Sequence, residues 1–131
     1  MKRLLDTSVI VAFLNRADKA VVARLHRTGP EHLRLCSVVK AELLYGAHRS
    51  SRVAENLARL EDFFASLESL AFDDSAAEHY GPLRATLAAR GTPIGGNDLM
   101  IASIALATGS AIVTRDAAEF RRVPALPVEV W

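Results

Sequence analysis

Four acids, Asp6, Glu42, Asp98 and Asp116, stand where a carboxylate needs an explanation. Asp6 closes the apolar run Arg3–Leu5, and Asp116 follows the run Ile112–Thr114 after a single intervening residue. Glu42 falls on the stripe of Val38, Val39, Tyr45 and Gly46, because residues three and four apart share a helix face. Asp98 opens an almost wholly apolar helix on the side of Ile101, Ala102 and Ala105. If these groups converge to about 4 Å in a half-buried cleft, each like-charged pair costs on the order of 4 kcal/mol at an effective dielectric of about 20. Such a cluster requires a cation. Oxygen-only donors select a hard ion, Mg²⁺ with Mn²⁺ as substitute, over zinc. Together with water and phosphate oxygens, that is the equipment for phosphodiester hydrolysis without a covalent nucleophile.

Each acid taken singly has a plainer use. Asp6 would cap the following helix, Asp98 would favour a helix start through the macrodipole, Glu42 would snorkel from the stripe edge, and Asp116 would be a turn residue. It is their conjunction that points to metal chemistry. The hydroxyls of Thr7, Ser8 and Thr114 lie beside these acids and are candidates to orient carboxylates or bound water, with helix capping an equal use for Ser8. His26, His32, His48 and His79 lack metal-ligand spacing, and the lone Cys36 reads as a buried small hydrophobe.

Short apolar runs alternate with helical patterns: Arg3–Leu5 before a helix from about Thr7, Leu33–Cys36 before one from about Ser37, and Ala111–Thr114 before a short one near Asp116. Residues 50–70 and 75–90 show helical spacing, separated by the brief run Leu70–Phe72. The glycine-containing loop 91–96 leads into the apolar helix of Asp98, which ends near Gly109, and Val128 and Val130 suit a short edge strand. The alternation predicts an α/β fold with a central, mostly parallel sheet flanked by helices. In such a sheet ligands bind beyond the carboxyl ends of the strands, where Asp6 and Asp116 both fall.

At 131 residues the chain is expected to form one domain, 1–131. Apolar residues make up 50% and charged ones 24%, an ordinary globular balance that excludes a disordered or fibrous chain. The formal net charge is +1, so any polyanion binding must come from a local patch. Asp6 interrupts what a signal peptide would need as an apolar core, and no stretch is long enough to cross a bilayer. A cytoplasmic location without membrane association is therefore expected.

Four segments, Leu5–Val9, Glu42–Ala47, Pro93–Ala102 and Ile112–Asp116, resemble in order the signature segments of PIN-domain ribonucleases of the VapC toxin type, and the resemblance runs from Lys2 to Trp131. It implies a three-layer PIN-like fold and a Mg²⁺-dependent endoribonuclease, the toxin of a type II toxin–antitoxin system. It further implies a homodimer that attacks structured RNA, is silenced by a VapB-type antitoxin at the acidic site, and meets operator DNA only through that antitoxin. The family's metal ligands carry over to Asp6, Asp98 and Glu42. The fourth position carries over to Asp116, where the family varies between Asp and Asn, and the nearby Glu119 would be the substitute. Arg49, Arg52, Arg84, Arg90 and Arg115 could contact RNA phosphates, since guanidinium pairs bidentately with phosphate, although surface solvation is the plainer use for most; Arg115, which adjoins Asp116, is the first candidate RNA contact, with Arg49 beside it.

Two other functions fit parts of the pattern. An aspartyl-nucleophile phosphatase or dehalogenase would use Asp6, but such enzymes carry a second acid two residues on, where this chain has Ser8. A catalytically degenerate PIN module would bind RNA or protein without cutting, which the retained set of four acids argues against. The helical stripe of Leu57, Leu60, Phe63, Phe64 and Leu67 would serve either the core or a partner.

Overall fold

Strand β1 (Arg3–Leu5) must lie inside the sheet, because the consecutive side chains of Leu4 and Leu5 point to opposite faces and both are fully buried. The computed structural model describes all residues, Met1–Trp131. It places β1 between β2 (Leu33–Cys36) and β4 (Ala111–Thr114), with β3 (Glu68–Leu70) and β5 (Val128–Val130) at the edges. The order is β3-β2-β1-β4-β5, and all four pairings are parallel.

Helices α1 (Thr7–Leu14), α2 (Lys19–Thr28), α3 (Ser37–His48), α4 (Val53–Ala65), α5 (Asp74–Ala89) and α6 (Gly96–Thr108) flank this sheet. One apolar cluster runs through it, from Leu4 and Ile10 to Ile104, Val113 and Phe120. The buried run Ile101–Ala105 explains why α6 is apolar all round, and Gly109 ends it in the left-handed region at φ +64°. Cys36 is buried, and desolvation pushes its thiol up.

From β1 the chain winds outward through β2 to β3, then crosses back to build β4 and β5 on the other side. The boundary between β1 and β4 is thus the switch point of the sheet, where two outgoing connections part and leave a crevice at the strand ends.

Several elements differ from the sequence-based expectation. The third strand forms two residues earlier than the run Leu70–Phe72, and α4 is shorter than the periodic segment that suggests it. Residues 19–28 form α2, which the apolar spacing did not anticipate; Asp18 caps it through Ala20 N and Val21 N, at 2.9 and 3.3 Å. No helix begins near Asp116. The Thr114 hydroxyl accepts from Asp116 N, and burial of Ala117 and Phe120 draws the chain into a turn and a short 3-10 segment, Phe120–Arg122. No helix is long and apolar enough to cross a membrane.

Candidate active site

Asp6 is the first residue beyond β1 and the N-cap of α1, so one side chain serves both the helix start and the crevice. Its Oδ1 accepts from Thr7 N at 2.8 Å; its Oδ2 accepts from Thr114 Oγ1 at 2.8 Å and from Ser8 Oγ at 3.2 Å. The two hydroxyls are oriented from behind, since Thr114 Oγ1 accepts from Asp116 N and Ser8 Oγ from Arg115 N, each at 3.1 Å. Because a backbone N–H donates to each hydroxyl oxygen, each hydroxyl is left to direct its single proton to Asp6. Three of roughly four carboxylate lone-pair sites are occupied, which leaves one on Oδ1 for an external ligand.

Glu42 reaches the same crevice from the middle of α3, half-buried, with Oε1 accepting from Thr7 Oγ1 at 2.9 Å. Asp98 arrives from the first turn of α6, also half-buried. Its carboxyl is pushed up to about 8, first by burial, then by a hydrogen bond to Glu119 and by the negative charges of Asp6, Glu119 and Glu42. Glu119 shifts downward in response, because it accepts from Asp98 and from Gly95 N, the latter at 3.1 Å, and has Arg122 nearby. Asp98 therefore holds the proton of the pair.

Asp6, Glu42 and Asp98 thus share one field of negative charge, and Glu119 is its fourth member by contact. Asp116 stands at the rim, exposed, with its carboxylate turned back toward Ala118 N at 3.4 Å. The sequence offered Glu119 only as a substitute for Asp116, since its approach depends on the turn after β4. Arg115 is paired with Asp18, Nη1 to Oδ2 at 3.0 Å, while Arg49 lies over the Tyr45 ring at 5.3 Å. Asp18 escaped the sequence reading; its only sequence signal is that of a helix cap before Lys19.

The donors are all carboxylate oxygens, and the proton retained by Asp98 marks a site short of positive charge. No three acidic groups are drawn tightly enough to enclose an ion by themselves. Oxygen donors of this kind suit a hard divalent ion, whose remaining positions water and phosphate oxygens would fill.

The PIN domain family model matches residues 3–126. The chain belongs to the PIN-domain family and, within it, to the VapC ribonucleases. It is 36% identical over 131 residues to the tRNA(fMet)-specific endonuclease VapC of Salmonella typhimurium, covering 100% of this chain and 98% of the relative. Ribonuclease VapC2 of Rickettsia felis is 35% identical over 129 residues, covering 98% and 96%. The DNA-bound VapBC structure from Salmonella typhimurium superposes with a TM-score of 0.93 at 36% identity, covering 100% of this chain and 98% of that one. The structure of VapBC2 from Rickettsia felis bound to a promoter DNA fragment gives 0.92 at 34%, covering 100% and 99%. As a PIN-domain member of this type the chain is an RNA-cleaving nuclease, and PIN-domain ribonucleases are metal-dependent. The resemblance in the four signature segments and the α/β architecture expected from it both agree with these findings.

Proposed function

We propose that this chain is a Mg²⁺-dependent endoribonuclease formed by a single PIN domain over residues 1–131, acting in the cytoplasm as the toxin of a type II toxin–antitoxin pair. The observation that carries this reading is the convergence of Asp6, Glu42 and Asp98 at the sheet's switch point, with Asp98 raised to about 8 by burial and its acidic neighbours.

Asp6 and Asp98 are the principal metal ligands, Glu42 the third, and the fourth carboxylate comes from Asp116 or Glu119. When bound, the ion activates water and neutralises charge at the scissile phosphate. Thr114 and Ser8 keep Asp6 from rotating, and Thr7 does the same for Glu42, so the carboxylates meet their ligand without reorganising. Arg115, aimed along the rim by Asp18, is placed to receive a phosphate of the RNA backbone. Mn²⁺ substitutes for Mg²⁺ because both are hard ions.

The substrate is structured RNA such as a transfer RNA, in keeping with the Salmonella relative's name. A VapB-type antitoxin is the partner, as in the VapBC structures, and it brings this chain to operator DNA; the chain itself pairs as a homodimer, as the family resemblance implies. The test is cleavage of RNA by the purified chain. Cutting with Mg²⁺ or Mn²⁺, none with chelator, and loss of cutting in Asp98→Asn with the fold retained are expected. Chelator-resistant cutting would favour the aspartyl nucleophile, and no cutting under any metal the binding module.

A further inference from the structure

Beside the acids a second cavity, of about 640 Å³, opens between α3 and the start of α6. Thr7 and Glu42 form one wall, shared with the carboxylate crevice, and Ala41, Tyr45, Asn97 and Met100 form much of the rest. Its volume is that of a small-ligand site, and its mixture of an apolar floor with a few polar groups is what such sites have. Tyr45 is 66% exposed, although a large aromatic ring gains most by burial. The Arg49 guanidinium lies over that ring at 5.3 Å.

Glu42 and Tyr45 of α3 and Arg49, its C-cap, follow one another at helical spacing, so a carboxylate, an aromatic ring and a guanidinium succeed each other over about 10 Å. That succession matches a nucleotide strand: a phosphate at the acidic site, a base on the ring and the next phosphate at the guanidinium. Polar groups for reading a base edge are also present. Asn97 is exposed and offers both donors and an acceptor, while Ser37, also lining the cavity, accepts from Phe72 N at 3.2 Å and so keeps its hydroxyl proton to donate.

We propose that this cavity holds the unpaired nucleobase that flanks the cleaved phosphodiester, stacked on Tyr45 and read at its edge by Asn97. Sequence-specific RNA recognition works on splayed, unpaired bases in this way, through aromatic stacking joined to edge hydrogen bonds. The proposal rests on the ribonuclease reading above, and gives that site a preference for unpaired RNA.

The experiment uses the full-length protein with a pool of single-stranded RNA oligonucleotides randomised around one labelled position. Cleavage is followed by product sequencing and steady-state kinetics, binding by fluorescence anisotropy with chelator present, and oligomeric state by mass. Tyr45→Ala is expected to raise KM and the dissociation constant about tenfold, as loss of a base-stacking ring does, with a smaller change in kcat. Tyr45→Phe, which keeps the ring, recovers most of that affinity. Asn97→Ala flattens the base preference at one position next to the cut. An unchanged KM and affinity in Tyr45→Ala would overturn the proposal. So would a loss of activity that tracks a loss of dimer mass, which would make Tyr45 part of a protein interface. Failure of the ribonuclease reading shows separately, as absence of metal-dependent cutting in the unmodified protein, and the anisotropy series then still decides whether Tyr45 binds a base.

Discussion

Asp98 and Glu119 are joined by a hydrogen bond across the crevice, with the proton on Asp98 and the negative charge on Glu119. This contact ties the first turn of α6 to the turn after β4. It also makes the metal-free site sensitive to pH.

The folded pKa of Asp98, about 8, lies above its unfolded value of 3.8, so over that interval the folded state binds the extra proton. Stability of the metal-free protein at this site is therefore greatest at low pH and is lost as pH rises toward 8. Glu119 acts in the opposite sense at lower pH, below its ordinary value of 4.5, where protonating it costs the folded state. Thermal denaturation with chelator should show a falling Tm between about pH 5 and pH 8, and Mg²⁺ should raise Tm more at the alkaline end. Calorimetry in buffers of differing ionisation enthalpy should register release of about one proton on Mg²⁺ binding near neutrality. A Tm that rises over that range with chelator present would contradict the assignment of the proton to Asp98.

The contact also separates the two candidates for the fourth carboxylate. Glu119→Gln is expected to weaken Mg²⁺ binding by about ten- to a hundredfold, and Asp116→Asn to do so by less, because Glu119 touches Asp98 while the Asp116 carboxylate turns to Ala118 N. Metal titration followed by Tm ranks the two variants directly. The reverse ranking would return the role to Asp116.

Thr114 is wholly buried and serves Asp6 and Asp116 N together. Thr114→Val keeps the shape but removes both bonds, leaving a backbone donor without its acceptor. It should cost about 1–3 kcal/mol in denaturant unfolding and about ten- to a hundredfold in Mg²⁺ affinity. Thr114→Ser, which restores the hydroxyl, should recover most of both.

Asp18 holds two offices, capping α2 through Oδ1 and holding Arg115 through Oδ2, and the second is the largest cause of its lowered pKa. Asp18→Asn preserves a good cap while removing the charge that aims Arg115. Its Tm should stay near that of the unmodified protein while its KM for RNA rises as far as in Arg115→Gln; Asp18→Ala should lower the Tm besides. In Arg115→Gln, the dependence of log affinity on log salt should become shallower by about 0.7, one phosphate contact on a single strand. An unchanged salt slope would remove Arg115 from the RNA interface.

The parts of this molecule that could be read directly are those written locally. Short apolar runs mark β1, β2 and β4, helical spacing marks α1, α3 and α6, and the position of Asp6 directly after an apolar run places it at a strand end. Asp98 was visible for a similar reason, because a glycine loop followed by an apolar helix leaves an acid in the first turn with little else to do. Helix α2 was harder, since its buried positions are only Val21 and Leu25 in an otherwise polar segment. Strand β3 was displaced because its residues lie at the sheet edge, where burial imposes little pattern on Glu68 and Ser69.

From residue types and spacing alone came the fold class, the carboxylates Asp6, Glu42 and Asp98 and the hard-ion chemistry they suit, since each follows from local periodicity or side-chain charge. Only the tertiary structure could decide that Thr114 bonds Asp6 across 108 positions, that Glu119 faces Asp98, and that Asp18 meets Arg115. Those relationships depend on strand order and on the path of one turn, which are set by packing of the whole core, and no window of neighbouring residues contains them.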